Sequence, residues 1–121
     1  MLMLPSAVRV FVCLEATDMR KGFDGLVAVT RERLEEDPFS GHIYVFFNRR
    51  RDRVKMLFGD RSGLCICFKR IEKGRFRLAS LDAYRNGHRA EIEAAELALI
   101  LEGIDLAHAK RRARFVPRRT A

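Results

Sequence analysis

Over residues 7–14, Val8, Val10, Val12 and Leu14 fall on one side of an extended chain, and Arg9, Phe11 and Cys13 on the other. A period of two in β-branched residues predicts a strand. From 22 to 36 the step changes, and Phe23, Leu26, Val27, Thr30 and Leu34 recur at helical spacing. Thr17-Asp18 supplies an N-cap candidate, and Pro38 biases Asp37 away from helical geometry, which predicts the helix end.

After Phe39-Ser40-Gly41 the period returns to two. Residues 42–47 set Ile43, Val45 and Phe47 against His42, Tyr44 and Phe46. Residues 53–58 and 64–71 follow as strands, and 75–78 as a fourth run, with turns at 48–52, 59–63 and 72–74. Connections this short join neighbours antiparallel, so the block is predicted to be a β-meander. Residues 79–89 have no clear period and are predicted to be a loop. Over 89–104, Ile92, Ala95, Leu99 and Leu97, Ile100, Leu101, Ile104 sit at helical offsets with Gly103 near the end, which predicts a second helix. It is free to dock on the sheet or on a partner. The pieces make an α+β domain over 1–105: a strand and helix, an antiparallel β-meander and a C-terminal helix, followed by a basic tail over 106–121.

Length and composition narrow the picture. A chain of 121 residues suits one domain with an ordinary core. Nearly half its residues are apolar, which rules out disorder in the body. No apolar run reaches the roughly 20 residues a membrane helix needs. Residues 1–5 lack the basic start and long apolar stretch of a signal peptide, so a cytoplasmic location and no membrane partner are expected.

Charge changes the picture most. Residues 1–47 carry 5 basic and 7 acidic side chains, net −2, and residues 48–77 carry 11 and 3, net +8. Residues 78–105 carry 2 and 6, net −4, and residues 106–121 carry 6 and 0, net +6. Two basic blocks on a slightly acidic protein imply a polyanionic partner. Since 19 of the 24 basic residues are Arg, the better phosphate fork, nucleic acid is the leading class.

Cys13, Cys65 and Cys67 lie in apolar runs and read as reduced, buried thiols. Neither they nor the scattered His42, His88 and His108 make a metal-ligand pattern, so no metal and no cofactor are expected. Asp18, Asp24, Asp60 and Glu72 suggest a metal-dependent nuclease only weakly. Asp18 is placed as a cap, Asp24 supports a first helical turn, and Asp60 and Glu72 sit in turns that favour such residues. No nucleophilic set or phosphate loop stands out, and the chain is read as not an enzyme.

Several ordered strings carry a family resemblance. They are Leu4-Pro5, Asp18-Met19-Arg20-Lys21-Gly22-Phe23-Asp24-Gly25-Leu26, Glu36-Asp37-Pro38-Phe39-Ser40-Gly41-His42, Val45-Phe46 and Lys55-Met56-Leu57. Asp60, Gly63-Leu64-Cys65, Phe68-Lys69-Arg70, Glu72-Lys73-Gly74-Arg75-Phe76 and Leu101-Glu102-Gly103-Ile104-Asp105 complete the set. In order and spacing the chain resembles the second-open-reading-frame (TnpB) accessory proteins of the insertion-sequence-sixty-six transposon family. The resemblance implies a bacterial mobile element in which this protein assists transposition while a separate, larger transposase carries the catalytic triad. It implies no kinship with the RNA-guided nuclease that shares the TnpB name. Family members usually carry Trp near Phe58 and Gly59, near Leu78 and at Leu106, whereas this chain has none.

Three groups of basic residues are the candidate nucleic-acid contacts. Arg49, Arg50 and Arg51, with Arg53 and Lys55, lie at a hairpin tip and suit a β-ribbon finger on phosphates. Three adjacent arginines repel, so a merely solvated turn explains only one or two of them. Lys69, Arg70, Lys73, Arg75 and Arg77 surround the next turn and interleave with Phe68 and Phe76, which are more often core residues than stacking platforms. Lys110, Arg111, Arg112, Arg114, Arg118 and Arg119 form an electrostatic arm. Neutralising six phosphates would give a slope of log K against log salt of about −5. The expected partners are DNA at transposon ends and the element's transposase and other proteins. The alternative is a protein–protein adaptor that docks on the transposase through the second helix without binding DNA itself.

Overall fold

The computed structural model describes residues 7–103. The elements run β1 (Val10–Cys13), α1 (Phe23–Glu32), β2 (Ile43–Phe47), β3 (Arg53–Gly59), β4 (Leu64–Arg70), a 3-10 helix (Ala79–Tyr84), β5 (Arg85–Asn86), β6 (Arg89–Ile92) and α2 (Ala94–Leu101). All six strands join one mixed sheet in the order β4-β3-β2-β1-β6-β5. The class is α+β, as its pattern implies: a strand and helix, the antiparallel run β2-β3-β4, and a helix near the C-terminus.

The first strand lies deep in the sheet because both of its faces are apolar. β1 pairs in parallel with β2, Val10 facing Ile43, and antiparallel with β6, Val12 facing Ala90. A parallel neighbour requires a crossover, and α1 provides it. Alternation then divides the core in two. On one face Phe11, Cys13, Tyr44, Phe46 and Leu57 pack with Leu26 of α1 and with Leu34. On the other, Val10, Val12, Val45, Phe47, Val54 and Ile92 pack with Leu97, Ile100 and Leu101 of α2 and with Leu81. Eight residues make a helix too short to stand alone in water. Burying each of those three large side chains contributes about 1.5–3 kcal/mol, so tertiary packing holds α2. The helix docks on its own sheet.

Five features differ from the sequence pattern, beginning with the two ends of α1. α1 starts at Phe23 with Gly22 as N-cap and no side-chain cap, so Asp18 caps nothing there. Asp18 instead closes a small turn by accepting the Arg20 backbone N–H at 2.9 Å. The helix stops at Glu32, and Glu35 takes a left-handed φ of 56°. Leu34 is buried from that irregular turn rather than from a last helical turn.

Residues 75–78 form no strand. The Ile71 N–H donates to Asp52 O at 2.8 Å and the Phe76 N–H to Arg51 O at 2.7 Å, which ties the segment to the β2–β3 turn. Phe76 is buried against Phe47, ring centroids 5.3 Å apart. Residues 79–89 hold the 3-10 helix and the start of a β-hairpin rather than a loop, with Gly87 at a φ of 67° in its turn. The predicted second helix is split. Ala90 and Ile92 are buried on β6 while Glu91 is exposed, a period of two that the helical offsets of Ile92, Ala95 and Leu99 conceal. Glu93 then starts α2 with a reciprocal capping box, its own N–H donating to Glu96 Oε1 at 2.9 Å. No helix among the described residues is long and apolar enough to cross a membrane.

Candidate nucleic-acid interface

The β2–β3 turn is a braced structure. The Arg51 N–H donates to Asn48 O at 3.1 Å, closing a turn with Arg49 and Arg50 at its two corners. Asn48 Oδ1 accepts the N–H groups of Asp52 and Arg53, both at 3.0 Å, and its Nδ2 donates to Asp52 Oδ1 at 2.6 Å. That amide holds the Asp52 carboxyl below its usual range, with the nearby Arg53 and Arg50 adding to the effect. Arg51 completes the turn at a φ of 59°. Glycine is the ordinary occupant of this left-handed position in a hairpin loop.

Strand register adds further cations. Arg53 lies directly opposite Arg70, and Lys55 opposite Phe68, all four on the α1 face of the sheet. Like charges facing across a ladder destabilise it. Arg70 is relieved by Glu72 at 2.9 Å. Lys55 Nζ donates to Lys21 O at 2.8 Å and stands 4.9 Å from the centroid of the Phe68 ring. Phe68 itself is 56% exposed, unlike Phe76. Arg75 and Arg77 are exposed on either side of buried Phe76, next to Arg51, and Lys73 is exposed in the loop just before them.

The structure therefore brings Arg49, Arg50, Arg51, Arg53, Lys55, Arg70, Lys73, Arg75 and Arg77 to one end of the molecule. Lys69 leaves the group. It points to the opposite face, where its Nζ donates to Leu101 O at 2.8 Å and so caps α2. Lys110, Arg111, Arg112, Arg114, Arg118 and Arg119 lie outside the described residues. Among the described residues, no cation of the turn, nor Lys55, Lys73, Arg75 or Arg77, forms an ion pair; neither do Lys21, Arg31 and Arg61 elsewhere.

Beside this turn runs an open groove of about 650 Å³. Its other wall is the segment 16–20 that follows β1, held to the sheet by the Thr17 N–H on Phe47 O at 2.9 Å. Met19, Arg20, Arg49, Arg50, Arg53 and Phe68 line it. Three of the contributors escape charge counting. Arg20 belongs to a segment that is acidic on balance, Asn48 reads as a turn residue, and Phe68 as core.

Each of the four carboxylates considered for catalysis has a local place. The Arg20 guanidinium beside Asp18, at 2.7 Å, holds that carboxyl down at about 2. Asp24 lies in the first turn of α1. Asp60 accepts the N–H groups of Ser62 and Gly63, which lowers its pKa, and Glu72 pairs with Arg70. Of the three cysteines expected to be buried only Cys13 is; Cys65 is half-buried and Cys67, late on β4, is exposed. Burial raises the pKa of Cys13, and partial desolvation that of Cys65. No three His, Cys, Asp or Glu side chains among the described residues gather as a metal site.

Comparison with known proteins places the chain. No solved structure matches it. Two uncharacterized proteins of Sinorhizobium fredii strain NGR234 are similar to it. One, y4hO, is 37% identical over 108 residues, covering 88% of this chain and 90% of its own. The other, y4jC, is 31% identical over 105 residues, covering 87% and 86%. The family model described as IS66 Orf2 like protein matches residues 8–111, almost the whole described domain and the start of the basic tail. The chain thus belongs to the IS66 Orf2-like family, the transposition-associated accessory proteins of that insertion-sequence group.

Proposed function

We propose that this protein is a non-catalytic, DNA-binding accessory factor for transposition of a bacterial insertion sequence. It grips the phosphates of transposon-end DNA with the cationic end of its sheet and with its basic tail, and assists the separate transposase. The single observation that carries this reading is the gathering of unpaired arginines around the β2–β3 turn. The arrangement works against the fold's own stability. Arg51 in its left-handed conformation costs about 1–2 kcal/mol. Strain of this kind concentrates where function demands it. A phosphate backbone offers the many acceptors that these side chains do not find within the described protein.

The adaptor reading rests on the second helix as a docking element. Leu97, Ile100 and Leu101 are buried against the sheet, so its apolar face is already occupied. The test is a titration of terminal-repeat and scrambled duplex across salt. Retardation with a salt slope of several units supports phosphate gripping, and a preference for terminal repeats supports end recognition. Absence of binding even at low salt removes the reading. Co-purification with the transposase that survives nuclease treatment, in a protein that binds no DNA, would favour the adaptor.

A further inference from the structure

We infer that the groove between residues 16–20 and the arginine turn holds a single DNA strand, with one unpaired base stacked on Phe68. This rests on the DNA-binding reading above and names the form of DNA that the site takes. Isolated exposed apolar residues are common and need no explanation. Phe68 is not isolated: it lines the groove together with Arg49, Arg50 and Arg53, while Lys55 stands 4.9 Å from its centroid. A ring 56% exposed, with the Lys55 ammonium over one face and the arginines of the groove beside it, combines the two elements that recognise single strands, a π-surface for the base and positive charge for the backbone.

A duplex cannot use the ring in this way, because its bases are stacked on one another and present only their edges in the grooves. The charge inside the groove also suits a polyanion. Its one lining carboxylate, Asp18, is matched by Arg20 at 2.7 Å, which leaves the arginines of the turn to set the sign. Phe46, Phe47 and Phe76 are buried, and of the exposed phenylalanines among the described residues, Phe23, Phe39 and Phe68, it is Phe68 that lines the groove.

The chain contains no Trp, which makes a single-site optical test available. The 121-residue chain carrying Phe68→Trp is titrated with an oligothymidylate of about a dozen nucleotides, within the usual site size for such grooves. A parallel series compares Phe68→Leu with the unaltered protein on that strand and on a duplex of equal length. Stacking quenches the Trp emission, and Phe68→Leu weakens single-strand binding by about tenfold, the size of one base–aromatic stack. Duplex binding should stay within about twofold, since phosphate contacts survive. Unchanged Trp emission at saturation, or equal single-strand affinity for Phe68→Leu, overturns the inference. Duplex binding retained with its salt slope would then leave the DNA-binding reading standing. Failure to bind either form removes both.

Discussion

Arginines at the two ends of this sheet do different work. At the β6 end, Arg9 forks onto Glu91 with two hydrogen bonds of 2.7 Å, and its guanidinium carbon lies 5.0 Å from the Phe11 ring centroid. Arg89 bonds Glu36 and donates to Leu34 O at 2.8 Å while lying 4.9 Å from the same ring. Arg33 pairs with Glu15, and Arg85 with Asp82. At the β2–β3 turn, Arg49, Arg50, Arg51 and Arg53 have no such carboxylate partners among the described residues. One end uses arginine to lock the fold, and the other holds it ready for something outside. The difference is in the supply of acids, which the −2 and −4 segments provide and the +8 segment withholds.

The contrast can be pressed from both sides. The largest expected effect on stability is at the locked end. Arg89→Ala leaves Glu36 half-buried without its partner and is expected to lower unfolding free energy by about 2 kcal/mol in urea. DNA affinity of the folded fraction should be unchanged. A loss of DNA binding with stability preserved would erase the distinction between the ends.

Next in size is Asn48→Ala. Removing the acceptor of two backbone N–H groups is expected to cost about 1–2 kcal/mol and to weaken DNA binding, because the arginine corners lose their brace. Arg51→Gly sharpens the comparison in the opposite sense. Relief of the left-handed arginine should raise stability by about 1 kcal/mol, while the salt slope on duplex becomes shallower by about one. If Arg51→Gly destabilised the protein, Arg51 would belong with the locking arginines.

The smallest effect concerns Asp18→Asn, which releases Arg20 into the groove and should steepen the salt slope by about one. Its pH signature has a definite sign. The Asp18 carboxyl is lowered from 3.8 to about 2 by Arg20, so its contribution to stability is present above about pH 4 and lost as pH falls through about 2. Acid unfolding curves of the two proteins should converge in that window.

Much of the fold can be read in the chain because its strands alternate cleanly. Val10/Val12 against Phe11/Cys13, and the run Ile43–Phe47, announce their faces directly. Arg89–Ile92 does not, since Ala90 and Ile92 are too few to outweigh the helical run after them. The strap around Phe76 hides its nature because Arg-Phe-Arg-Leu alternates as a strand would, while its hydrogen bonds go to a turn. For the candidate site, the charge count finds the arginines but not their neighbours. Strand alternation already sets Lys69 on the face opposite Phe68. That Arg20 crosses to the same groove, that Phe68 stays exposed, and that Lys69 ends on Leu101 O all depend on tertiary placement. Gly59 shows a related constraint: a Cβ there would meet Pro38 O at 3.3 Å, so a Trp at that position requires the 38–39 segment to move.

The division between locking and free arginines is tested most directly by the salt dependence of duplex binding in two multiple variants. One removes Arg49, Arg50 and Arg53; the other removes Arg31 and Arg61, which lack ion pairs but lie away from the turn. The first should make the slope of log K against log salt shallower by about three, at near-normal stability, and the second should leave it unchanged. Equal slopes for both variants, or a slope lost only with residues 106–121, would contradict a DNA-binding role for this end of the sheet.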